Sequence, residues 1–249
     1  MKYLRNIKLV LGFDGTSYHG WQIQIQQKTV QGELREAIRR ITGEQTNPIG
    51  SGRTDAGTHA RGFVASFSTA TRIPAPRLVR ALNSVLPHDI RILSAREVPA
   101  DFHARRSARS KIYRYQIYRG AILPPHLARE HLHYPYPIDV TIMRQATALF
   151  VGTHDFASFA AKGSGQENAV RHIYNCRLRC AGSLLTLTVE GSGFLHHMVR
   201  NMVGTLLELG RGLMTLDEFE ALFKLRDRTR AGFTAPAHGL ILLKVHYGD

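Results

Sequence analysis

Acidic residues are scarce in this chain: 19 Asp plus Glu stand against 33 Lys plus Arg, a formal charge of +14 with a pI near 10.3. From Phe102 through Arg129 there is no acid at all. A surface so short of negative charge points to a polyanionic partner, most commonly a phosphate backbone. Of the 33 basic residues 26 are arginine, whose planar fork suits phosphate contact and base stacking. Cysteine is equally sparse. Cys176 and Cys180 lie in an alternating stretch, Ile173–Cys180, which reads as a strand with both sulfurs on one face. Positions four apart on a strand are separated by roughly 13 Å, and a disulfide needs Cα atoms within about 7 Å, so no bridge forms. Two free thiols suit a reducing cytoplasm. No apolar run reaches a membrane span of about 18 residues, and Lys2 and Arg5 interrupt any signal-peptide core.

Several motifs of common chemistry are missing. Gly50-x-Gly52-x-x-Asp55 fails as a dinucleotide loop, because an acid that would repel pyrophosphate stands where the third glycine belongs. No Gly-Lys-Ser/Thr marks a phosphate loop, and no Gly-x-Ser-x-Gly marks a nucleophilic serine. Among thirteen histidines none falls into a zinc spacing. His196 and His197, adjacent on an expected helix, point about 100° apart and do not share a face.

What remains is a globular chain of 249 residues with 43% hydrophobic content, long enough for one large domain or two of about 120 residues. Alternation predicts a strand over 5–13. Thr29 caps an expected helix with Val30, Leu34, Ile38 and Ile41 on one stripe and Gly43 at its end. A short strand near Ile49, a strand through Phe63, Ala65 and Phe67, a helix opened by Pro76 and a strand around Ile90 complete the order β-α-β-β-α-β. The order then restarts with strands over 111–119, 171–180 and 184–190, helices from Asp139 and over 194–209, and a final strand over 240–247. An extra helix with the capping box Thr215-x-x-Glu218 precedes that strand. The expectation is an α+β protein of two ferredoxin-like, RRM-like halves with antiparallel sheets, residues 1–104 and 105–249, flanking a basic cleft.

One carboxylate draws attention. Asp55 sits in Gly50-Ser51-Gly52-Arg53-Thr54-Asp55-Ala56-Gly57-Thr58-His59-Ala60, between Arg53 and Arg61 and among three glycines. This is turn material, and equally a way to present an acid to a substrate. A lone aspartate can serve as nucleophile or base if a cation keeps it ionised; Arg53 and the helix-borne Arg200 are candidates. Tyr113 and Tyr115 could stack on bases or fill the core. A non-catalytic RNA-binding protein would share the charge and the fold, and only Asp55 in its arginine setting separates the two readings.

Six stretches carry a resemblance: Phe13–Gln22, Gly52–Ala60, Asp101–Arg105, Lys111–Tyr115, Phe194–Gly204 and Ala235–Leu240. In that order the chain resembles the TruA-type tRNA pseudouridine synthases, departing at Thr58, where valine is usual, and at Phe13, where tyrosine is frequent. The resemblance implies isomerisation of uridine to pseudouridine at positions 38, 39 and 40 of the tRNA anticodon stem-loop. It implies Asp55 as nucleophile, Arg200 as its ion-pair partner, Tyr113 and Leu240 on either side of the target base, and Arg53 on the flipped nucleotide. It further implies a homodimer that works on tRNA without metal or organic cofactor.

Overall fold

The computed structural model describes residues 4–161 and 168–248; residues 1–3, which hold the Lys2 discussed above, lie outside them. The chain divides into two compact units, Met1–Arg109 with Leu242–Asp249, and Ser110–Ile241.

In the first unit the order is β1 (Arg5–Phe13), α1 (Val30–Thr42), β2 (Ile49–Gly50), β3 (His59–Thr69), α2 (Ala75–Val85) and β4 (Ile90–Val98). The sheet runs β4-β1-β3, with short β2 also on β3, and all three pairings are antiparallel. This is the split β-α-β arrangement that a βαββαβ order predicts. Alternation sets its two faces. Ile7, Leu9 and Leu11 of β1 lie opposite Phe67, Ala65 and Phe63 of β3, all buried with Leu34 and Ile38 of α1 and Leu78 and Leu82 of α2. Each large apolar side chain so buried contributes about 1.5–3 kcal/mol before chain entropy is subtracted. Helix α1 begins at the expected cap, where Thr29 accepts from the Gly32 N–H, and stops at Gly43 in the left-handed conformation.

The other face of this sheet mixes polar side chains with Val10 and Val64 and is closed by the chain itself. Asn6 donates to the carbonyls of Pro99 and Phe102 (3.2 and 2.8 Å), and the Ala104 N–H donates to Ser66 Oγ (3.2 Å). Tyr247, after the last strand β10 (Leu240–His246), donates its hydroxyl to the Ala104 carbonyl (2.7 Å). Buried Lys8 places its ammonium 4.0 Å from the Tyr247 ring centroid and 5.4 Å from that of Phe102, a desolvated cation on aromatic faces. The Asp101–Arg105 stretch is therefore sheet cover in this unit.

The second unit holds β5 (Ser110–Tyr118), β6 (Leu132–His133), α3 (Val140–Leu149), β7 (Gly152–Asp155), β8 (Val170–Ala181), β9 (Leu184–Gly191), α4 (Met198–Gly210) and α5 (Leu216–Leu225). Its sheet runs β5-β9-β8-β7, with β6 parallel to β5. Strands β6 and β7 are too short to show alternation and went unexpected. Beneath the sheet Phe150, Phe156, Phe159 and Phe219 are fully buried, with Phe150 5.3 Å edge-on from both Phe159 and Phe219. Cys176 and Cys180 lie on one side of β8 as free thiols, and burial pushes the Cys176 thiol up to about 12.

One helix differs from expectation. Helix α4 starts at Met198, four residues later than the apolar pattern suggests, because His197 takes a left-handed conformation (φ 61°, ψ 1°). His196 and His197 therefore precede the helix, and instead of diverging by 100° their ring centroids lie 3.9 Å apart. The helix is also buried on nearly every side, Asn201 and Thr205 included. Among the described residues no helix is long and apolar enough to cross a membrane.

Candidate active site

In the first unit Asp55 rides on a loop whose main chain is fixed by a second loop, Asp14–Gln22. Thr54 O accepts the Trp21 N–H (3.2 Å), Tyr18 O accepts the Gly57 N–H (3.3 Å), and Asp55 O accepts the Thr58 N–H (3.1 Å) across its own turn. Gly20, with φ 80°, brings the two loops together: a Cβ there would stand 2.2 Å from the Thr54 carbonyl oxygen. Trp21, buried and stacked on Phe63 at 4.3 Å, anchors the second loop in the core. Tyr18 ties its far end through a hydroxyl donated to Asp89 (2.5 Å). Burial, reinforced by that carboxylate, raises the phenol pKa well above its usual range. The Asp55 side chain is half-exposed and Arg53 exposed, while Ser51, Thr54, Thr58 and His59 beside them are buried. The loop thus turns its hydroxyls and His59 inward and Arg53 and Asp55 outward.

His59 is a residue that motif reading alone leaves without a role. The Gly15 N–H donates to its Nδ1 (3.1 Å). Asp14 Oδ1 stands 3.2 Å from the same nitrogen. Asp14 also accepts from the Thr16 N–H (2.9 Å) and hydroxyl (2.5 Å).

In the second unit Arg200 occupies the first turn of α4 and is half-buried. Its Nε donates to the Ala235 carbonyl (2.7 Å), and its own carbonyl accepts the Ala235 N–H (3.2 Å). The two residues form a reciprocal clamp. Next along the chain, Pro236 O accepts the hydroxyl of fully buried Tyr115 (2.7 Å). Burial raises that phenol's pKa above its usual range, against a smaller lowering by the Arg200 charge. Tyr115 is therefore core. Tyr113 is buried as well, edge-on to Phe194 at 5.0 Å. Leu240, buried, follows the Ala237–Gly239 turn. Asp55 and Arg53 thus share one loop of the first unit, and Tyr113, Arg200 and Leu240 belong to the second.

A chain segment behind Arg200 carries residues that the sequence did not single out. Asn201, fully buried, donates to Phe159 O (2.7 Å) and accepts from Thr234 Oγ1 (2.7 Å) and Arg228 Nη2 (3.1 Å). Arg228 also donates to Ala231 O (3.0 Å) and Thr234 Oγ1 (3.0 Å), and burial lowers its pKa. Gly204 lets this strap lie on the helix, since a Cβ there would meet Phe233 O at 1.7 Å. The sequence signal for Asn201 and Gly204 was their place beside Arg200 in one motif; Arg228 offered none.

A glycine-lined acidic loop on one ferredoxin-like unit, and an arginine-bearing helix on the other, define an α+β protein of the pseudouridine synthase fold. A family model described as tRNA pseudouridine synthase matches residues 10–105 and 146–248. A tRNA pseudouridine synthase A of Moorella thermoacetica is 46% identical over 243 residues, covering 97% of this chain and 99% of that protein. One from Thermoanaerobacter sp. strain X514 is 43% identical over 244 residues, 98% of this chain and all of the relative. The chain belongs to the tRNA pseudouridine synthase family and is an isomerase.

Proposed function

We propose that this chain isomerises uridine to pseudouridine at positions 38, 39 and 40 of the tRNA anticodon stem-loop, with Asp55 as nucleophile. The observation that carries the reading is a half-exposed carboxylate on a loop whose main chain is fixed on both sides of it. Such a group needs no rearrangement to meet a substrate. The family membership supplies the substrate class, and the charge of +14 suits a polyanion.

The reaction breaks the C1′–N1 glycosidic bond, turns the uracil and joins C5 to C1′. The proton lost from C5 is balanced by one gained at N1, so nothing is oxidised and no group leaves. A carboxylate can begin this by attack on C1′, by removing the C2′ proton, or by addition to C6. The base must first leave its stack, at a cost of a few kcal/mol that phosphate contacts offset. In this reading Arg200 keeps the carboxylate ionised, Tyr113 and Leu240 bracket the base, and Arg53 holds the extruded nucleotide. The clamp of Arg200 by Ala235 supports its part, because a guanidinium fixed at Nε has a defined direction.

Asp55→Asn tests the proposal. Pseudouridine formation on tRNA transcripts should fall on the order of 10³-fold or more, while filter-binding affinity for tRNA stays within about threefold. Normal conversion by the variant would remove Asp55 from the chemistry. A wild-type protein that binds tRNA and forms no pseudouridine would instead leave an RNA-binding function.

A further inference from the structure

Arg200 is held by a carbonyl, and a carbonyl goes wherever its chain segment goes. Residues 231–236 have no sheet partner of their own in the second unit. They are fastened to α4 by Gly232 N–H to Thr205 Oγ1 (3.1 Å), by Phe233 N–H to Glu208 Oε1 (3.0 Å), and by the Thr234 and Ala235 bonds. Thr234 is the point nearest the clamp. Its hydroxyl donates to Asn201 Oδ1 (2.7 Å) and accepts from Arg228 Nη2 (3.0 Å). Both partners of that hydroxyl are themselves fixed, Asn201 by Phe159 O and Arg228 by Ala231 O.

We propose that Thr234, through the buried Asn201 and the half-buried Arg228, is a positioning residue that helps set the direction of the Arg200 guanidinium by restraining the Ala235 carbonyl. The chain of contacts runs from Phe159 O to Asn201, to Thr234, one peptide along to Ala235 O, and then to Arg200 Nε. The hydroxyl's two roles cannot both be supplied by any other group on the strap at that point. Without it, Asn201 Oδ1 keeps Arg228 alone, and the Ala235 carbonyl loses one of its restraints; the Ala235 N–H bond to Arg200 O and the Tyr115 bond to Pro236 O remain, which limits the redirection of the arginine to a small angle. Misplacements of this size cost rate rather than affinity, because they act on alignment in the transition state. The inference rests on the proposed role of Arg200.

The test is a cycle of four proteins: wild type, Thr234→Val, Arg200→Lys and the double variant. Single-turnover conversion is measured with enzyme in excess over tRNA, beside tRNA affinity and thermal midpoint. Valine keeps the shape of threonine and removes the hydroxyl; lysine keeps the charge and removes the Nε handle. Thr234→Val should slow the step on the order of tenfold with tRNA affinity unchanged. Thr234→Ser should restore the wild-type rate. In the Arg200→Lys background Thr234→Val should slow it no further, since the handle it controls is already gone. A Thr234→Val protein that converts at the wild-type rate, beside a slow Arg200→Lys protein, overturns this inference and leaves the role of Arg200 standing. So does a double variant slower than Arg200→Lys by the full single-variant factor, which would assign Thr234 to general stability. An Arg200→Lys protein at the wild-type rate overturns the role of Arg200, and the inference with it.

Discussion

The Asp55 loop of the first unit hangs on main-chain hydrogen bonds to the Asp14–Gln22 loop, whereas the strap that clamps Arg200 in the second is held largely through side chains. Main-chain anchoring is indifferent to most substitutions and fails only where a Cβ enters the gap. Side-chain anchoring places much of the hold on the strap in a few groups, Asn201, Arg228 and Thr234 with Thr205 and Glu208, so altering one of them loosens its neighbours. A candidate nucleophile needs only a fixed place. A guanidinium has a direction as well, and a network of side chains can specify it.

The widest test of this contrast is steric. Gly20→Ala combines a left-handed φ of 80° with a Cβ 2.2 Å from Thr54 O, and should destabilise the protein by about 3–5 kcal/mol. Gly204→Ala forces Phe233 O away from α4 without backbone strain, and about 2–4 kcal/mol is expected. Urea midpoints measure both, and an unchanged midpoint for Gly20→Ala would mean the loops are not locked as described.

Alkaline pH probes burial in the second unit next. The Cys176 thiol, in the second unit, rises by burial from an ordinary value of 9.0 to about 12. Below about pH 9 both folded and unfolded chains hold the proton and the group has no effect on stability. Between about pH 9 and 12 the unfolded chain loses it while the folded one keeps it, so stability falls as pH rises through that window. Urea midpoints at rising pH should fall more steeply for wild type than for Cys176→Ala. Parallel slopes would contradict the assignment.

The smallest expected effect makes the sharpest comparison. Thr58 Oγ1, in the first unit, is buried with no hydrogen-bond partner among the described residues. Thr58→Val should therefore be neutral or stabilise by up to about 1 kcal/mol, read as an unchanged or raised thermal midpoint. Thr234→Val, the same chemical change in the second unit, should slow the reaction instead. A marked loss of stability in Thr58→Val would show that its hydroxyl matters and would blur the distinction.

Much of the first unit was legible from its residues. The bounds of β1 and the Thr29 and Gly43 ends of α1 stand where period and caps put them, because both elements are amphipathic and end on residues with a local preference for ending them. Thr58 was legible too, as a departure from valine, and its unpaired hydroxyl gives the departure a physical meaning. The start of α4 was not legible, since Phe194–His197 continues the apolar pattern and a left-handed His197 leaves no trace in composition. Nor was Arg228, an arginine among 26, whose partners are chosen by tertiary contact with Asn201 and Thr234 rather than by its neighbours in sequence. The motif placed Asn201 beside Arg200, but only coordinates show that its amide faces the strap.

Tyr247 has a consequence for the order in which the molecule can be made. The ring that shelters Lys8 and caps the Ala104 carbonyl is translated after the entire second unit. A ribosome therefore releases the first unit's earlier residues, Phe102 among them, while the nearer of the two rings beside that lysine does not yet exist. The region synthesised first is the one finished last, and until then its buried ammonium has water on one side.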